Sequence, residues 1–292
     1  MLGLNYMQTL LSKPLVAELK LAIKKESAAL IDDGVDPQLA VILIGNDSDS
    51  LRYVAIKDRT AKEVGIIFSL YHTEASTPYE EIEKTIAFLN ADPDVHGIII
   101  QLPLPDRFSE KQTQALLALI DPVKDVDGLG RSWEADYWQA LTTEQLQVLH
   151  PHSLPPMVSS VISLLDFYNI DLKDKKVVLM GKDRLVGQPL LTYFKKVGVS
   201  ATLVDEETPK ILDITKEADV LITATGQENI ITYQWIKEGA VVVDCAFDVH
   251  EDSVGQIASA LAPATGGVGP LTVNWLLYNT VQAARNLIRK GE

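Results

Sequence analysis

The chain has 292 residues, of which 47% are hydrophobic, and its formal net charge is −14 at pH 7. This length and apolar content exclude a largely disordered chain and allow two folded domains. The acidic balance argues against nucleic acid and anionic membrane surfaces as main partners, because both attract basic patches. The single cysteine, Cys245, excludes an internal disulfide. We also find no bilayer-spanning apolar run and no signal peptide, so we expect a cytoplasmic protein.

In the first half of the chain, short apolar runs alternate with amphipathic segments. Strands are predicted at residues 39–45, 66–72 and 97–105, and helices at about 50–64, 77–90 and 109–120. Ser109 is a candidate N-cap for the last of these helices. The β-α-β-α-β rhythm predicts a parallel sheet with right-handed crossovers.

A loop-rich zone at residues 121–156, which contains several prolines, marks the predicted domain junction. A second alternating series follows it. Strands are predicted at residues 176–181, 200–205, 220–225 and 240–247, with a helix at 187–198 and a last helix that begins near Pro270. This order indicates a Rossmann-like layout.

Tyr53 and Lys57 stand four residues apart in the predicted helix at 50–64, so their side chains share one face. An aromatic ring then lies one turn from an ammonium group. Taken alone, the pair is better explained as an ordinary helix surface, with a half-buried tyrosine and a lysine that reaches water.

The turn after the strand at 176–181 contains two glycines, Gly181 and Gly187, and leads into a helix. Backbone N–H groups at such a turn can bind a pyrophosphate, although a simple strand-to-helix turn would look the same. The next predicted strand ends in Asp205 and Glu206. Acidic residues there favour the ribose of NAD, whereas Lys182 favours the extra phosphate of NADP, so the choice of coenzyme stays open.

The segment at residues 121–130 carries three aspartates. A calcium loop is excluded because its first position would be Val123, which has no ligand oxygen. Two interpretations remain: a solvated turn stabilised by aspartate side chains, or a carboxylate that binds an amino-heterocycle. The glycine-rich segment at 264–272 is equally consistent with close approach to a flat ligand and with a tight connection between domains.

Five motifs occur in a fixed order along the chain, and together they resemble the bifunctional methylenetetrahydrofolate dehydrogenase/cyclohydrolase family over nearly the whole length. They are Y-x-x-x-K, "IIIQLPLP", "KDVDG", G-x-x-x-x-V-G-x-P and "GGVGP". The resemblance implies an α/β protein with a parallel N-terminal domain at 1–145, completed by a C-terminal helix at 271–292. A Rossmann-like NAD(P) domain at 146–270 follows, with the active-site cleft between the two domains.

The family's chemistry, by this resemblance, is part of one-carbon metabolism and supplies purine biosynthesis. NAD(P)+ oxidises 5,10-methylenetetrahydrofolate to the methenyl form, and water opens that form to 10-formyltetrahydrofolate. The resemblance also implies a homodimer, for which the edge strands of the Rossmann-like half are candidate contacts.

The resemblance assigns roles to individual residues. Lys57 is the proton-transfer group of the cyclohydrolase step, Gln101 orients its ammonium, and Asp127 binds the pterin and completes the catalytic set. The expected substrate-binding residues are Ser50, Tyr53, Asp127, Gly267 and Pro270. The expected coenzyme-binding residues are Gly181, Lys182, Asp183, Gly187, Glu206 and Phe247. No metal is implied.

The departures from the family pattern fall mostly on the coenzyme side. Lys182 and Asp183 replace the usual Arg and Ser, Glu206 stands where NADP-dependent members often carry Ser, and "DCAFD" at 244–248 replaces "DVGIN". NADP is the family default, but these changes lead to the hypothesis that cyclohydrolase activity is retained while the dehydrogenase prefers NAD or is weak. The alternatives are a folate-binding paralogue without dehydrogenase activity and a shikimate-type dehydrogenase.

Overall fold

The structure, a computed structural model, describes residues 7–130, 154–182 and 185–291, with side chains as far as residue 287. Contacts divide the chain into two units, which we name after their sheets. The three-stranded unit comprises Ala17–Pro156 and Val273–Glu292, and the six-stranded unit comprises Met1–Val16 and Met157–Thr272. The α/β class, the parallel sheets and the Rossmann-like half that the sequence predicted are confirmed.

The sheet of the three-stranded unit has the order β3-β2-β4, and all its strand pairs are parallel. Its strands are β2 (Gln38–Ile44), β3 (Ile67–Thr73) and β4 (Gly97–Ile100). Its helices are α2 (Ser48–Glu63), α3 (Tyr79–Ala91), α4 (Glu110–Leu117) and most of α1 (Lys13–Asp32) and α9 (Gly269–Gly291). The strand predicted at 97–105 stops at Ile100, because Pro103 and Pro105 cannot donate ladder hydrogen bonds.

Alternate residues of β2 face two different apolar clusters, as the period of two in a strand requires. Leu39, Val41 and Leu43 pack with α1, α2 and α9, whereas Ala40, Ile42 and Ile44 pack with α3 and α4. Burial on both faces explains why β2 is a continuous run of apolar residues. The central strand is thereby fixed on both sides, and so are the loops at its carboxyl end.

The sheet of the six-stranded unit has the order β1-β9-β8-β7-β5-β6 and is also parallel. Its strands are β1 (Gln8–Thr9), β5 (Val177–Met180), β6 (Ala201–Val204), β7 (Val220–Thr223), β8 (Val241–Asp244) and β9 (Ala260–Ala262). Its helices are α5 (Pro156–Phe167), α6 (Gly187–Lys196), α7 (Ile211–Thr215) and α8 (Glu251–Val254), with a 3₁₀ turn at Tyr233–Trp235 and a kinked, non-helical turn at Ala264–Val268. β6 and β7 pair with opposite edges of β5, so the order reverses there. Ligands of open α/β sheets bind at such a reversal, outside the carboxyl ends of the strands.

The division into units differs from the expected domains at the N-terminus. The segment up to Val16 groups with the six-stranded unit, because β1 pairs in parallel with Ala260–Leu261 of β9. The expected boundary between 145 and 146 lies outside the described residues, since 131–153 are not described. Helix α1 was not predicted, although its buried Leu19, Ile23 and Leu30 follow a helical spacing.

No helix among the described residues combines the length and the apolar character that crossing a bilayer requires. The cytoplasmic location stays a prediction.

Candidate active site

Helix α2 carries the pair that the sequence analysis singled out. The Asp47 side chain caps the helix, because its Oδ1 accepts a hydrogen bond of 2.8 Å from the backbone N–H of Ser50. Tyr53 and Lys57 follow on one face. The Tyr53 side chain is 45% exposed, whereas Lys57 is half-buried. The helix therefore presents an open aromatic ring one turn before a sheltered ammonium group.

Lys57 Nζ donates a hydrogen bond of 2.7 Å to Oε1 of Gln101. Gln101 directly follows β4, and its own side-chain amide donates to the carbonyl oxygen of Leu102 at 2.7 Å. That second bond fixes the amide so that its oxygen faces the lysine. The backbone N–H of Gln101 also donates to Ile42 in the central strand at 2.8 Å. The lysine is thus oriented by a side chain that the sheet holds in place.

The electrostatics of Lys57 and Asp127 are coupled. Burial lowers the pKa of Lys57, and the negative charge of Asp127 partly opposes that effect. Burial also raises the pKa of Asp127, opposed in turn by Lys57. No hydrogen bond to the Asp127 carboxylate is found among the described residues. Its oxygens are therefore free to accept hydrogen bonds from a ligand.

The turn that carries Asp127 is shaped by Asp125, two residues earlier. The Asp125 carboxylate accepts hydrogen bonds of 2.9 Å from the backbone N–H groups of Gly128 and Gly130. Burial raises the pKa of Asp125 to about 6. Within the sequence Asp125 is one of three aspartates in this segment, and nothing in the local pattern marks it as the acceptor that closes the turn.

Asn279 of α9 holds the same turn from the other side. Its Nδ2 donates to the carbonyl oxygens of Val126 at 2.9 Å and Leu154 at 3.2 Å. Asn279 is buried, and the apolar Leu276 and Ala283, about one turn before and after it, are buried on the same face of the helix. A buried amide in an apolar helix face was the available signal, but its partner stands 153 positions away in the chain. The sequence analysis did not identify it.

Lys124, which begins the "KDVDG" motif, has a structural role. Its side chain is buried, and Nζ donates to the carbonyl oxygens of Leu89, Asn90 and Asp92 at 3.1, 2.9 and 2.6 Å. A lysine that satisfies the last carbonyls of a helix complements the helix dipole. Lys124 therefore ties the start of the turn to the end of α3.

Ser50 is only 2% exposed, and its Oγ has no hydrogen-bond partner in the part of the chain that the structure describes. Buried hydroxyl groups are normally hydrogen-bonded, so the Ser50 hydroxyl in the first turn of α2 is available to bind a ligand. Gly267 is buried and Pro270 is exposed, and both belong to the six-stranded unit. The structure brings Ser50, Tyr53 and Lys57 together on α2.

Among the expected coenzyme residues, the two glycines pack against backbone. A Cβ atom on Gly181 would lie 2.2 Å from the carbonyl oxygen of Ala224, and one on Gly187 would lie 1.8 Å from that of Gly181. Gly181 also has a φ of 115°, which side-chain-bearing residues rarely adopt. The turn between β5 and α6 thus needs glycine at both positions. Asp183 lies outside the described residues.

Lys182 is paired with acids rather than free. Its Nζ forms an ion pair with Asp205 and lies 3.8 Å from Glu207. Asp205 also accepts a hydrogen bond of 2.8 Å from Thr208 Oγ1. The Asp205 hydrogen bond raises the pKa of Lys182 and lowers that of Asp205. Glu206 is exposed, and Glu207 is an acidic neighbour of Lys182 that the sequence analysis did not name.

Phe247, the last expected coenzyme residue, is 50% exposed and has a φ of 64°. A left-handed conformation is uncommon for an aromatic residue, and here it accompanies hydrogen bonds from the N–H groups of Ala246 and Asp248, on either side of Phe247, to the Asp244 carboxylate. Neither of those aspartates was identified from the sequence as a functional residue.

Two family models match the chain, one in each half. The catalytic domain of tetrahydrofolate dehydrogenase/cyclohydrolase matches residues 10–127, and the NAD(P)-binding domain of the same family matches residues 155–288. The first match contains Lys57, Gln101 and Asp127, and the second contains the turn with Gly181 and Gly187.

Individual proteins agree with these matches. The bifunctional protein FolD of Halalkalibacterium halodurans is 37% identical over 282 residues, covering 94% of this chain and 97% of that protein. The structure of the bifunctional dehydrogenase/cyclohydrolase FolD from Campylobacter jejuni is 33% identical, with a TM-score of 0.83 and coverage of 96% and 99%. The Trypanosoma brucei FolD, solved with NADP and an inhibitor, is 27% identical, with a TM-score of 0.86 and coverage of 97% and 99%. This chain therefore belongs to the tetrahydrofolate dehydrogenase/cyclohydrolase family.

Proposed function

We propose that this protein oxidises 5,10-methylenetetrahydrofolate with a pyridine nucleotide coenzyme and hydrolyses the methenyl product to 10-formyltetrahydrofolate. One observation carries the proposal. A half-buried lysine, Lys57, is oriented by Gln101 at 2.7 Å and is coupled electrostatically to the Asp127 carboxylate, to which the described residues donate no hydrogen bond. All three lie within the matched catalytic domain.

Lys57 is the proposed proton-transfer group of the hydrolysis. An acid–base group is most effective when its pKa lies near the working pH, and an ordinary lysine is far above it. Burial lowers the pKa of Lys57 in the useful direction. Gln101 contributes orientation, because its fixed oxygen accepts one ammonium proton and leaves the other donors for water and substrate.

The proposed folate contacts on the three-stranded unit are an exposed aromatic ring, a carboxylate and a hydroxyl group that can each interact with a ligand. The exposed ring of Tyr53 offers a surface on which a flat pterin can stack. The Asp127 carboxylate can accept from the amino and ring N–H groups, where a charged acceptor binds more strongly than a neutral one. Ser50 Oγ adds one unpaired polar atom. Gly267 and Pro270 stay proposed folate contacts.

The turn at residues 181–187 is the proposed binding site for the coenzyme pyrophosphate. Two observations support this site. Gly181 and Gly187 leave no room for a side chain, and the turn lies where the strand order of the sheet reverses. NAD(P)+ held there would supply the acceptor for the hydride of the methylene carbon. That transfer needs no protein base, so the chain's contribution is to hold the two rings together. Phe247 is a proposed contact, and Asp183 stays a prediction.

We propose that NAD is preferred to NADP. The extra phosphate of NADP would have to compete with Asp205 and Glu207 for Lys182, and it would approach the exposed Glu206. The acids that repel this phosphate are suited to accept hydrogen bonds from the ribose hydroxyls of NAD. Asp205→Ser would remove the main competitor and should lower the KM for NADP relative to that for NAD.

The deciding experiment follows methenyltetrahydrofolate formation with NAD and NADP in separate assays, alongside hydrolysis of methenyltetrahydrofolate without coenzyme. We expect hydrolysis, and oxidation with the lower KM for NAD. Tight use of NADP would overturn the coenzyme proposal alone. Tetrahydrofolate binding with neither activity would identify a folate-binding paralogue and overturn the proposed function.

We also infer a homodimer. Of the edge strands described, β3 is longer than β6 and carries the exposed apolar residues Ile67 and Leu70, at 46% and 44% exposure. We therefore place the contact on β3 rather than on the Rossmann-like half. Sedimentation velocity of Ile67→Asp and of Thr202→Asp, its counterpart on β6, tests this. Dissociation of the β6 variant alone, or a monomeric wild type, would contradict it.

A further inference from the structure

A buried carboxylate joins two loops of the six-stranded unit. Asp248 is 0% exposed, and its carboxylate accepts hydrogen bonds from the Thr223 hydroxyl, from the Thr225 N–H at 2.6 Å and from the Gln227 N–H at 3.1 Å. These three donors lie at and just after the end of β7. Asp248 itself lies in the loop that follows β8.

A second carboxylate fixes the loop from which Asp248 reaches out. Asp244, the last residue of β8, accepts from the backbone N–H groups of Ala246 and Asp248 at 3.0 Å and of Val249 at 3.1 Å. This tight set of bonds accompanies the left-handed φ of 64° at Phe247. The last residue of β8 therefore holds the loop in a tight turn, and the phenyl ring of Phe247 stays exposed.

The backbones of the two loops are also bonded to each other. The Asn229 N–H donates to the Phe247 carbonyl at 3.1 Å, and the Ile231 N–H donates to the Asp248 carbonyl at 2.8 Å. Asp248 is the only side chain described here that receives backbone donors of the first loop at two positions. If it were removed, the Thr225 N–H would lose its acceptor, and the Gln227 N–H would keep only its bond of 3.2 Å to Thr225 Oγ1.

The location of this junction connects it to the coenzyme. β7 and β8 are adjacent parallel strands, and β7 pairs with β5 where the strand order reverses. Loops at the carboxyl ends of strands at such a reversal form the ligand crevice of open α/β sheets. The Asp248 carboxylate already has three donors in the protein, which leaves it suited to hold the loops rather than to contact a ligand.

We propose that Asp248 is a positioning residue for the dehydrogenase reaction. It holds the loops at 223–227 and 244–248 in the shape that receives the nicotinamide coenzyme. The inference rests on the proposed function, since it assigns this crevice to a pyridine nucleotide. It adds a determinant of coenzyme binding that lies outside the expected site residues.

The test compares Asp248→Ala and Asp248→Asn with wild type. The alanine variant loses all three bonds, and we expect its coenzyme KM and Kd to rise about tenfold or more, with a smaller change in kcat. Asparagine keeps one acceptor oxygen, which can retain the Thr223 and Thr225 bonds, so its defect should be intermediate. Asp213→Ala, which removes an exposed acid from the same unit, should match wild type.

Two further measurements separate positioning from general damage. Hydrolysis of methenyltetrahydrofolate without coenzyme should stay within about twofold of wild type, because Lys57 and Gln101 belong to the other unit. Hydrogen exchange should show faster exchange at Thr225 and Gln227 in the alanine variant, with protection retained in β7 and β8.

Unchanged coenzyme affinity in Asp248→Ala would overturn the inference, and so would a parallel loss of hydrolysis. Titration with NAD and with NADP measures binding without turnover. A wild type that binds coenzyme but does not oxidise the folate would therefore overturn the proposed reaction, and the affinity of the alanine variant would still decide the role of Asp248.

Discussion

The two units build their functional regions in different ways. In the three-stranded unit, the side chains of Lys57 on α2 and Gln101 after β4 contact each other directly, and burial lowers the pKa of Lys57, the proposed proton-transfer group. In the six-stranded unit, the expected coenzyme region consists of backbone turns whose shape is set by glycines and buried aspartates. Substitutions in the first unit should therefore change the chemical step, and those in the second should change binding.

The units also share one device, a buried aspartate that accepts backbone hydrogen bonds and closes a loop. Asp125 closes the turn before Gly130, and Asp248 joins the loops after β7 and β8. Burial raises the pKa of Asp125 to about 6. The three-stranded unit should thus depend on pH through a residue that takes no part in the reaction.

The largest expected effect is loss of the proton-transfer group. Lys57→Met should lower methenyltetrahydrofolate hydrolysis by about 10²–10⁴-fold, the usual contribution of acid–base catalysis. Oxidation should fall much less, because hydride transfer needs no base. Spectrophotometric assays measure the rate of hydrolysis and the rate of oxidation separately. Lys62→Met, on the exposed side of the same helix, is the control, and equal losses in both reactions would remove the distinction between the units.

The next prediction concerns stability. Asp125 titrates at about 6 when folded and near 3.8 when unfolded, so the folded state binds the proton more tightly. This group's contribution to stability is therefore most favourable below pH 4 and falls as the pH rises to above 6, by about 3 kcal/mol. Asp125→Asn lacks this titration. The difference in unfolding free energy between wild type and variant, measured by urea denaturation, should decrease over that range. A constant difference would contradict the prediction.

A smaller effect is expected at the turn before α6. Gly187→Ala would place a Cβ atom 1.8 Å from the Gly181 carbonyl oxygen, so the turn must shift. Overpacking of this kind costs about 1–3 kcal/mol, which corresponds to about a 5- to 150-fold increase in coenzyme KM if the strain appears in binding. Hydrolysis without coenzyme should be unchanged. Gly198→Ala meets no atom within 4 Å but places a side chain at a left-handed φ of 77°, so it controls for backbone strain in the same unit without a collision at the turn. Equal KM values for the two variants would contradict the prediction.

The smallest effect is a shift in pH dependence. Asp127 raises the pKa of Lys57, so Asp127→Asn should lower that pKa further. If hydrolysis requires protonated Lys57, the alkaline limb of its pH profile should move to lower pH. Asp58→Asn, beside Lys57 in the chain and paired with Lys62, should leave the limb in place. A shift to higher pH would exclude Asp127 as the acid coupled to Lys57.

Local pattern accounted for much of this molecule. The apolar run of β2, the capping sequence at Ser109 and the spacing of Tyr53 and Lys57 agree with elements that the structure contains, because each depends on neighbours within a few residues. The order of five motifs identified the family resemblance. Helix α1 was within reach of the same reasoning, since its buried residues follow a helical spacing.

Other features were decided by tertiary structure alone. Asn279 meets Val126 across 153 positions, Lys182 pairs with Asp205, and the segment up to Val16 joins the six-stranded sheet. No local period encodes such contacts, because they depend on how distant elements pack. The same holds for the charges. A sequence names a lysine and an aspartate, but only packing removes them from water and sets the direction in which their pKa values move.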